Sequence, residues 1–133
     1  MPKTITQKVV FKNTTPAKLY AMYLDSKQHA AITGGMPAKI SAKEGAKYSA
    51  HDGYINGKNL QLKKNELIVQ SWRSADWKKD EADSTFILMF EQKGKDAVIH
   101  MTHANVPDRE ADGIKQGWID YYWTPWKQVL AGK

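Results

Sequence analysis

Apolar positions recur along this chain with two periods, and the points where one gives way to the other mark out its elements. "TITQKVVFK" (residues 4–12) is β-branched and partly alternating, which predicts a strand. In "NTTPAKLYAMYLD" the spacing lengthens: Leu19, Met22 and Tyr23 share a helical face, Thr14 or Thr15 can cap, and Pro16 suits a first turn. "SKQHAAIT" predicts a second short helix, stopped by Gly34-Gly35. Short strand-like runs then return at Lys39–Ala42, Ala46–Ala50, Tyr54–Leu62, Glu66–Arg73, Ser84–Gln92 and Asp96–Asn105. Turn signals separate them at Asp52-Gly53 or Asn56-Gly57, at Lys64-Asn65 and at Lys93-Gly94-Lys95. Asn56-Gly57 reads either as a hairpin turn or as a bulge inside one long strand. Pro107 ends the last run, Asp108 can cap, and a helix is expected from there almost to Lys133.

Strand, two short helices, about six strands and one long helix is an α+β order, with an antiparallel sheet implied by the consecutive short strands. A single domain over residues 1–133 is expected, and only the C-terminal helix is long enough to cover the sheet. On that helix Ile114, Trp118, Tyr121, Tyr122, Pro125, Trp126 and Val129 fall within an arc of roughly 140°, with Trp123 at its edge. Gln116, Asp120, Thr124, Lys127 and Gln128 take the opposite face. An apolar arc this wide suits a helix gripped by a curved sheet. Pro125 removes the bond to the Tyr121 carbonyl and costs ~3 kcal/mol. Burial of each large ring returns about 1.5–3 kcal/mol, so a kinked but continuous helix is expected. Five rings on this helix, added to Trp72, Trp77, Phe86 and Phe90, are hard to close-pack. Core packing is the first reading of these rings, and an apolar cavity edged by Tyr and Trp polar tips is the sharper alternative.

Composition narrows the classes. The chain has no cysteine, which excludes disulfides, thiol catalysis and cysteine-ligated metal. Its apolar runs fall short of the ~20 residues of a membrane span, and Met1-Pro2-Lys3-Thr4 lacks a signal-like apolar segment, so a cytoplasmic protein is expected. The net charge of +6 comes mostly from dispersed lysines; Arg73 and Arg109 are the only arginines. That pattern reads as a solvated surface and not as a nucleic-acid site.

Five segments carry a family resemblance: "DGYINGKNLQL" (52–62), "IVQSWRSADW" (68–77), "STF" (84–86), "ANVP" (104–107) and "GWIDYYWTPWKQVL" (117–130). In this order, spanning essentially the whole chain, they resemble the C-terminal-type domain of the activators of heat-shock protein 90 ATPase, within the START-like (SRPBCC, helix-grip) superfamily. WR…DW and GW…YYW…PWK are the more specific elements, because they pair rare residues at fixed spacing. The resemblance implies a helix-grip, Bet v-type fold: a curved antiparallel sheet of about six or seven strands around a long C-terminal α-helix, with two short helices after the first strand. In the wider superfamily the space between sheet and helix binds small hydrophobic molecules. The ligand-cavity residues so implied are Trp72, Phe86, Trp118, Tyr122 and Trp126. Phe90 joins them from the aromatic pattern, and Met36, beside the helix stop at Gly34-Gly35, and Trp77 are candidate gate or lid from their own segments. Heat-shock protein 90 is the implied candidate partner. In the eukaryotic co-chaperone a separate N-terminal domain contributes strongly to ATPase stimulation, and these 133 residues are expected to lack one.

The remaining candidate chemistry is sparse. His100 and His103, three apart on a strand, should face opposite ways and so cannot chelate one metal. His51-Asp52 is an acid–base candidate, but turn formation explains that Asp. His29 is expected to be exposed. Trp72 pointing inward would send Arg73 to solvent or to an ion pair. Asp76 to Asp83 reads as a solvated loop or, alternatively, as a lid plugged by Trp77. No phosphate loop, nucleophile elbow or convincing carboxylate pair occurs, so no catalytic residue, metal or cofactor is assigned. The leading expectation is a domain that binds a small apolar ligand. The alternatives are a co-chaperone-like module whose basic surface meets an acidic chaperone, and an enzyme using a cavity His or Asp.

Overall fold

Residues 2–132 are described by a computed structural model; Met1 and Lys133, the ends of the expected 1–133 domain, lie outside the described residues. Alternation in β1 (Lys3–Phe11) buries Ile5, Val9 and Phe11 on one face. Helix α1 (Pro16–Leu24) is capped by Thr15, whose hydroxyl accepts from Lys18 N–H at 3.2 Å, with Pro16 in its first turn. Asp25 caps α2 (Ser26–Ile32) in the same way through Gln28 N–H at 3.0 Å. Gly34 and Gly35 then take left-handed backbone (φ 78° and 94°) and end it.

Five further strands follow: β2 (Lys47–Ala50), β3 (Ile55–Lys63), β4 (Leu67–Ser74), β5 (Ser84–Lys93) and β6 (Asp96–Val106). All neighbours pair antiparallel in the order β1-β6-β5-β4-β3-β2, a single six-stranded sheet. The run at Lys39–Ala42 is not a strand; it contributes one isolated bridge, Lys39 to Ser49. Asn56-Gly57 is neither turn nor bulge. Both residues sit in the ladder opposite Ser49 and Tyr48, and the irregularity falls between Asn59 and Gln61. The reversal occurs at 51–54, where His51, Asp52 and Gly53 all have positive φ. Gly57 is required for another reason: a Cβ there would lie 2.0 Å from the Ser71 carbonyl oxygen and 2.7 Å from the Tyr48 ring.

The C-terminal helix begins as a 3-10 turn at Asp108–Glu110 and continues as α3 (Ala111–Trp118). A π turn over Ile119–Trp123 leads into α4 (Thr124–Leu130). The expected irregularity thus takes the form of a π turn just ahead of Pro125, where Thr124 N–H reaches the Ile119 carbonyl five residues back. This extra residue per turn swings Trp123 inward beside Tyr122. Trp123 is buried, stacked on Trp118 (5.2 Å, 17°) and Trp126 (6.2 Å, 20°), with its N–H donating to Gln7 Oε1 at 2.6 Å. Tyr121 is turned outward by the same change and is 55% exposed.

The helix lies on the inward face of the sheet and the core sits between them. Trp126, Phe86 and Phe11 are fully buried there, with Trp126 against Phe11 (5.1 Å) and Phe86 against Trp118 (5.2 Å). This is the helix-grip arrangement expected from the sequence. Among the described residues, no helix is long and apolar enough to cross a membrane.

Candidate functional site

Packing closes most of the space between helix and sheet but leaves a cleft of about 460 Å³ at one end, open to solvent. The sheet contributes Ile55 from the start of β3, and Trp72 and Ser74 from the end of β4. Its helix wall is a stripe at three- and four-residue spacing: Glu110, Gly113, Ile114, Gly117, Trp118 and Tyr121, joined by Tyr122. Met36, His51 and Tyr54 come from the connections flanking β2, and Trp77 from the β4–β5 connection.

Of the six rings expected around a cavity, Trp72, Trp118 and Tyr122 line this cleft. Phe86, Phe90 and Trp126 do not; they are enclosed in the core, Phe90 against Tyr20 at 5.9 Å. On that inner side the rings touch one another, Phe86 against Trp118 at 5.2 Å and Trp126 against Phe11 at 5.1 Å. Met36 and Trp77, the candidate gate, both lie on the cleft wall. Trp77 is buried against Trp72 at 5.5 Å. The rest of the connection that carries it is mostly exposed, as a solvated loop would be, but it is tied down at several points. Arg73 reaches outward, as expected with Trp72 inward, and donates to the carbonyls of Lys78 and Glu81 and to Asp83. Arg109 grips the Glu81 carboxylate through both terminal nitrogens. Those bonds hold Glu81 far below the usual carboxylate range, at about 2.

Two buried histidines brace the wall. His29, expected to be exposed, has no solvent exposure: its Nδ1 donates to the Tyr23 carbonyl at 2.7 Å. A carbonyl only accepts, so Nε2 carries no proton and accepts from the Tyr122 hydroxyl at 3.0 Å. Burial pushes its pKa down to about 4. His103 Nδ1 accepts from the Trp118 indole N–H at 3.0 Å, so Nε2 bears the proton and donates to Ser84 Oγ at 2.7 Å. Ser84 passes its own proton to the Trp72 carbonyl at 2.9 Å. Burial lowers His103 to about 3. His100 points to the opposite face and meets Glu91 at 2.9 Å.

At the rim, His51 is half-buried with its ring edge-on to Tyr121 (5.9 Å) and Tyr122 (5.5 Å), and burial lowers its pKa. Its left-handed backbone (φ 52°), uncommon for a non-glycine residue, brings the ring there. Ser74 and Tyr54 hydroxyls both donate to Asp76, at 2.6 and 2.9 Å, and hold its carboxyl below the usual range. Sequence reasoning missed Glu110, Gly113, Ile114 and Gly117 as wall residues. Their helical spacing was the available signal, obscured because glycine reads as a weak helix residue and not as a pocket floor.

Chemically, the cleft offers apolar rings and a few polar groups, and its Ser74 and Tyr54 hydroxyls are paired with a weakened base, Asp76. Comparison with known proteins adds kinship. The family model described as "Activator of Hsp90 ATPase homolog 1-like protein" matches residues 13–131. The human protein "Activator of 90 kDa heat shock protein ATPase homolog 1" is 30% identical over 131 residues, which is 96% of this chain but 38% of that protein. The chain therefore spans about two-fifths of the length of that curated relative. Among solved structures, an HSP90 activator from Plasmodium falciparum superposes with TM-score 0.87 at 22% identity, covering 96% of each chain. A protein from Mesorhizobium loti superposes with TM-score 0.83 at 16% identity, covering 98% of each. These two likenesses establish the fold.

Proposed function

Given that the chain belongs to the family of Activator of Hsp90 ATPase homolog 1-like proteins, we propose that it uses the helix-grip fold to bind a small apolar ligand in the cleft beside Trp118. The observation that carries this reading is the cleft itself. At about 460 Å³ it falls within the range of small-molecule sites, and six of its fourteen lining residues are Tyr or Trp, with Met36, Ile55 and Ile114 adding apolar surface. Binding without turnover is the simpler reading, because Asp76, the carboxylate to which the Ser74 and Tyr54 hydroxyls donate, is held below the usual range by those bonds and is a weak proton acceptor.

Gly113 provides the test. A Cβ built there meets nothing within 4 Å, so a side chain can start from this position of the cleft wall without a clash at its first carbon. Gly113→Leu should raise the melting temperature by about 2–4 °C through helix propensity while abolishing binding of 1-hexanol, followed by indole shifts in NMR. Unchanged binding in that variant would refute the reading.

A second reading rests on the family. The named relatives are activators of the 90 kDa heat-shock protein, and a chain of net charge +6 suits an acidic chaperone surface in the cytoplasm. Titration with that chaperone at low salt should then show binding that weakens with salt and a change in ATPase rate. If neither is seen, this reading fails.

A further inference from the structure

The cleft has a charge character opposite to that of the chain. Among 20 Lys and Arg against 14 Asp and Glu, none of the basic residues lines it, and its one charged wall group is the Glu110 carboxylate. Arg109 leaves Glu110 largely free, because its two terminal nitrogens are committed to Glu81 and only Nε turns to Glu110, at 3.6 Å. Several potential donors of the wall are already engaged within the protein. Ser74 and Tyr54 give their hydroxyl protons to Asp76, Tyr122 gives its proton to His29, and Trp118 gives its N–H to His103. These hydroxyls have only lone pairs left to offer a ligand. An anionic ligand would meet Glu110, a carboxylate that shares the one guanidinium of Arg109 with Glu81, and no lysine or arginine on the cleft wall. A cation would meet that carboxylate, the lone pairs and the electron-rich ring faces of Trp72, Trp77 and Tyr121.

Resting on the reading of the cleft as a ligand site, we propose that its ligand class is a small organic cation, an amine or quaternary ammonium carrying an apolar tail. The charged head lies at the rim between Glu110 and Tyr121, and the tail lies inward against Ile55, Ile114 and Trp118.

Three probes of one tail length decide the matter: hexyltrimethylammonium, 1-hexanol and hexanoate, each titrated by tryptophan fluorescence below its micellar concentration. The cation should bind about tenfold more tightly than the alcohol, with hexanoate weakest. Glu110→Gln and, independently, the exposed-site variant Tyr121→Leu should each weaken the cation about fivefold and the alcohol by clearly less, so that the cation's advantage shrinks. If the alcohol or hexanoate binds as tightly as the cation, the charge class is overturned while the cleft remains a ligand site. If none of the three binds, the ligand-site reading falls with it.

Discussion

Both nitrogens of His103 are committed, one to Trp118 and one to Ser84, so this single ring joins the C-terminal helix to β5 and β6. Replacing it with phenylalanine keeps the bulk but strands a buried indole N–H and alters the Ser84 bond. That should cost about 2–4 kcal/mol in urea unfolding, more than Ser84→Ala, which leaves the Trp118 bond in place. Gly57 is as exacting for steric reasons. The gap between Tyr48 and Ser71 is closed by the Tyr48 hydroxyl donating to the Ser71 carbonyl at 2.6 Å. Gly57→Ala forces β3 and β4 apart and should destabilise by about 3 kcal/mol or more, read by the same unfolding experiment. Neither role was open to a reading of the sequence. "YING" looks like a turn because Asn-Gly so often is one, and the contact that demands glycine lies across two strands. His29 was misplaced for a similar reason: its partners are six and ninety-three residues away, and "SKQHAAIT" carries no trace of them.

Elements were more legible, because period and punctuation are local. Both short helices, the strands of the sheet and the long final helix follow from alternation and helical spacing, from Thr15 and Pro16, and from Gly94 and Asn65 at the turns. What escaped was the π turn. A helical wheel assumes uniform winding, and that assumption sent Trp123 to the rim and Tyr121 to the buried arc, the reverse of their positions. The β4–β5 connection is as exposed as its charge suggests, but Arg73 also pins it from the outer face of β4. Arg73→Ala should release residues 75–83: amide exchange there should rise while the sheet amides stay protected, with Trp77 emission shifting red as the ring gains solvent. Unchanged exchange in that segment would show that Trp77 burial alone holds it. For the cleft, the sequence pointed to Trp72, Trp118, Tyr122, Met36 and Trp77 as rings and gate. It could not tell which apolar rings would be sealed away, because that depends on how far helix and sheet approach.

Over the whole molecule, the two buried histidines couple stability to pH. Burial depresses His29 to about 4 and His103 to about 3, so the unfolded chain takes up these protons first, near the ordinary histidine value of about 6.5. Their stabilising effect is complete above that value and declines as pH falls toward the folded values. Each contributes about 1.4 kcal/mol per pH unit within its window. Urea midpoints should therefore drop between pH 6.5 and 4.5, and His103→Gln should remove about half of the slope while lowering the plateau. A flat profile would show that neither ring is held neutral in the fold. The stacked rings Trp118, Trp123 and Trp126 carry a last consequence, an optical one. Three nearly parallel indoles at 5.2 and 6.2 Å share excitation, so light absorbed by one is emitted by whichever has the lowest excited state. The helix is thus its own spectroscopic probe: coupled near-ultraviolet dichroism should vanish abruptly when helix and sheet part, while Trp72 and Trp77 report separately on the cleft.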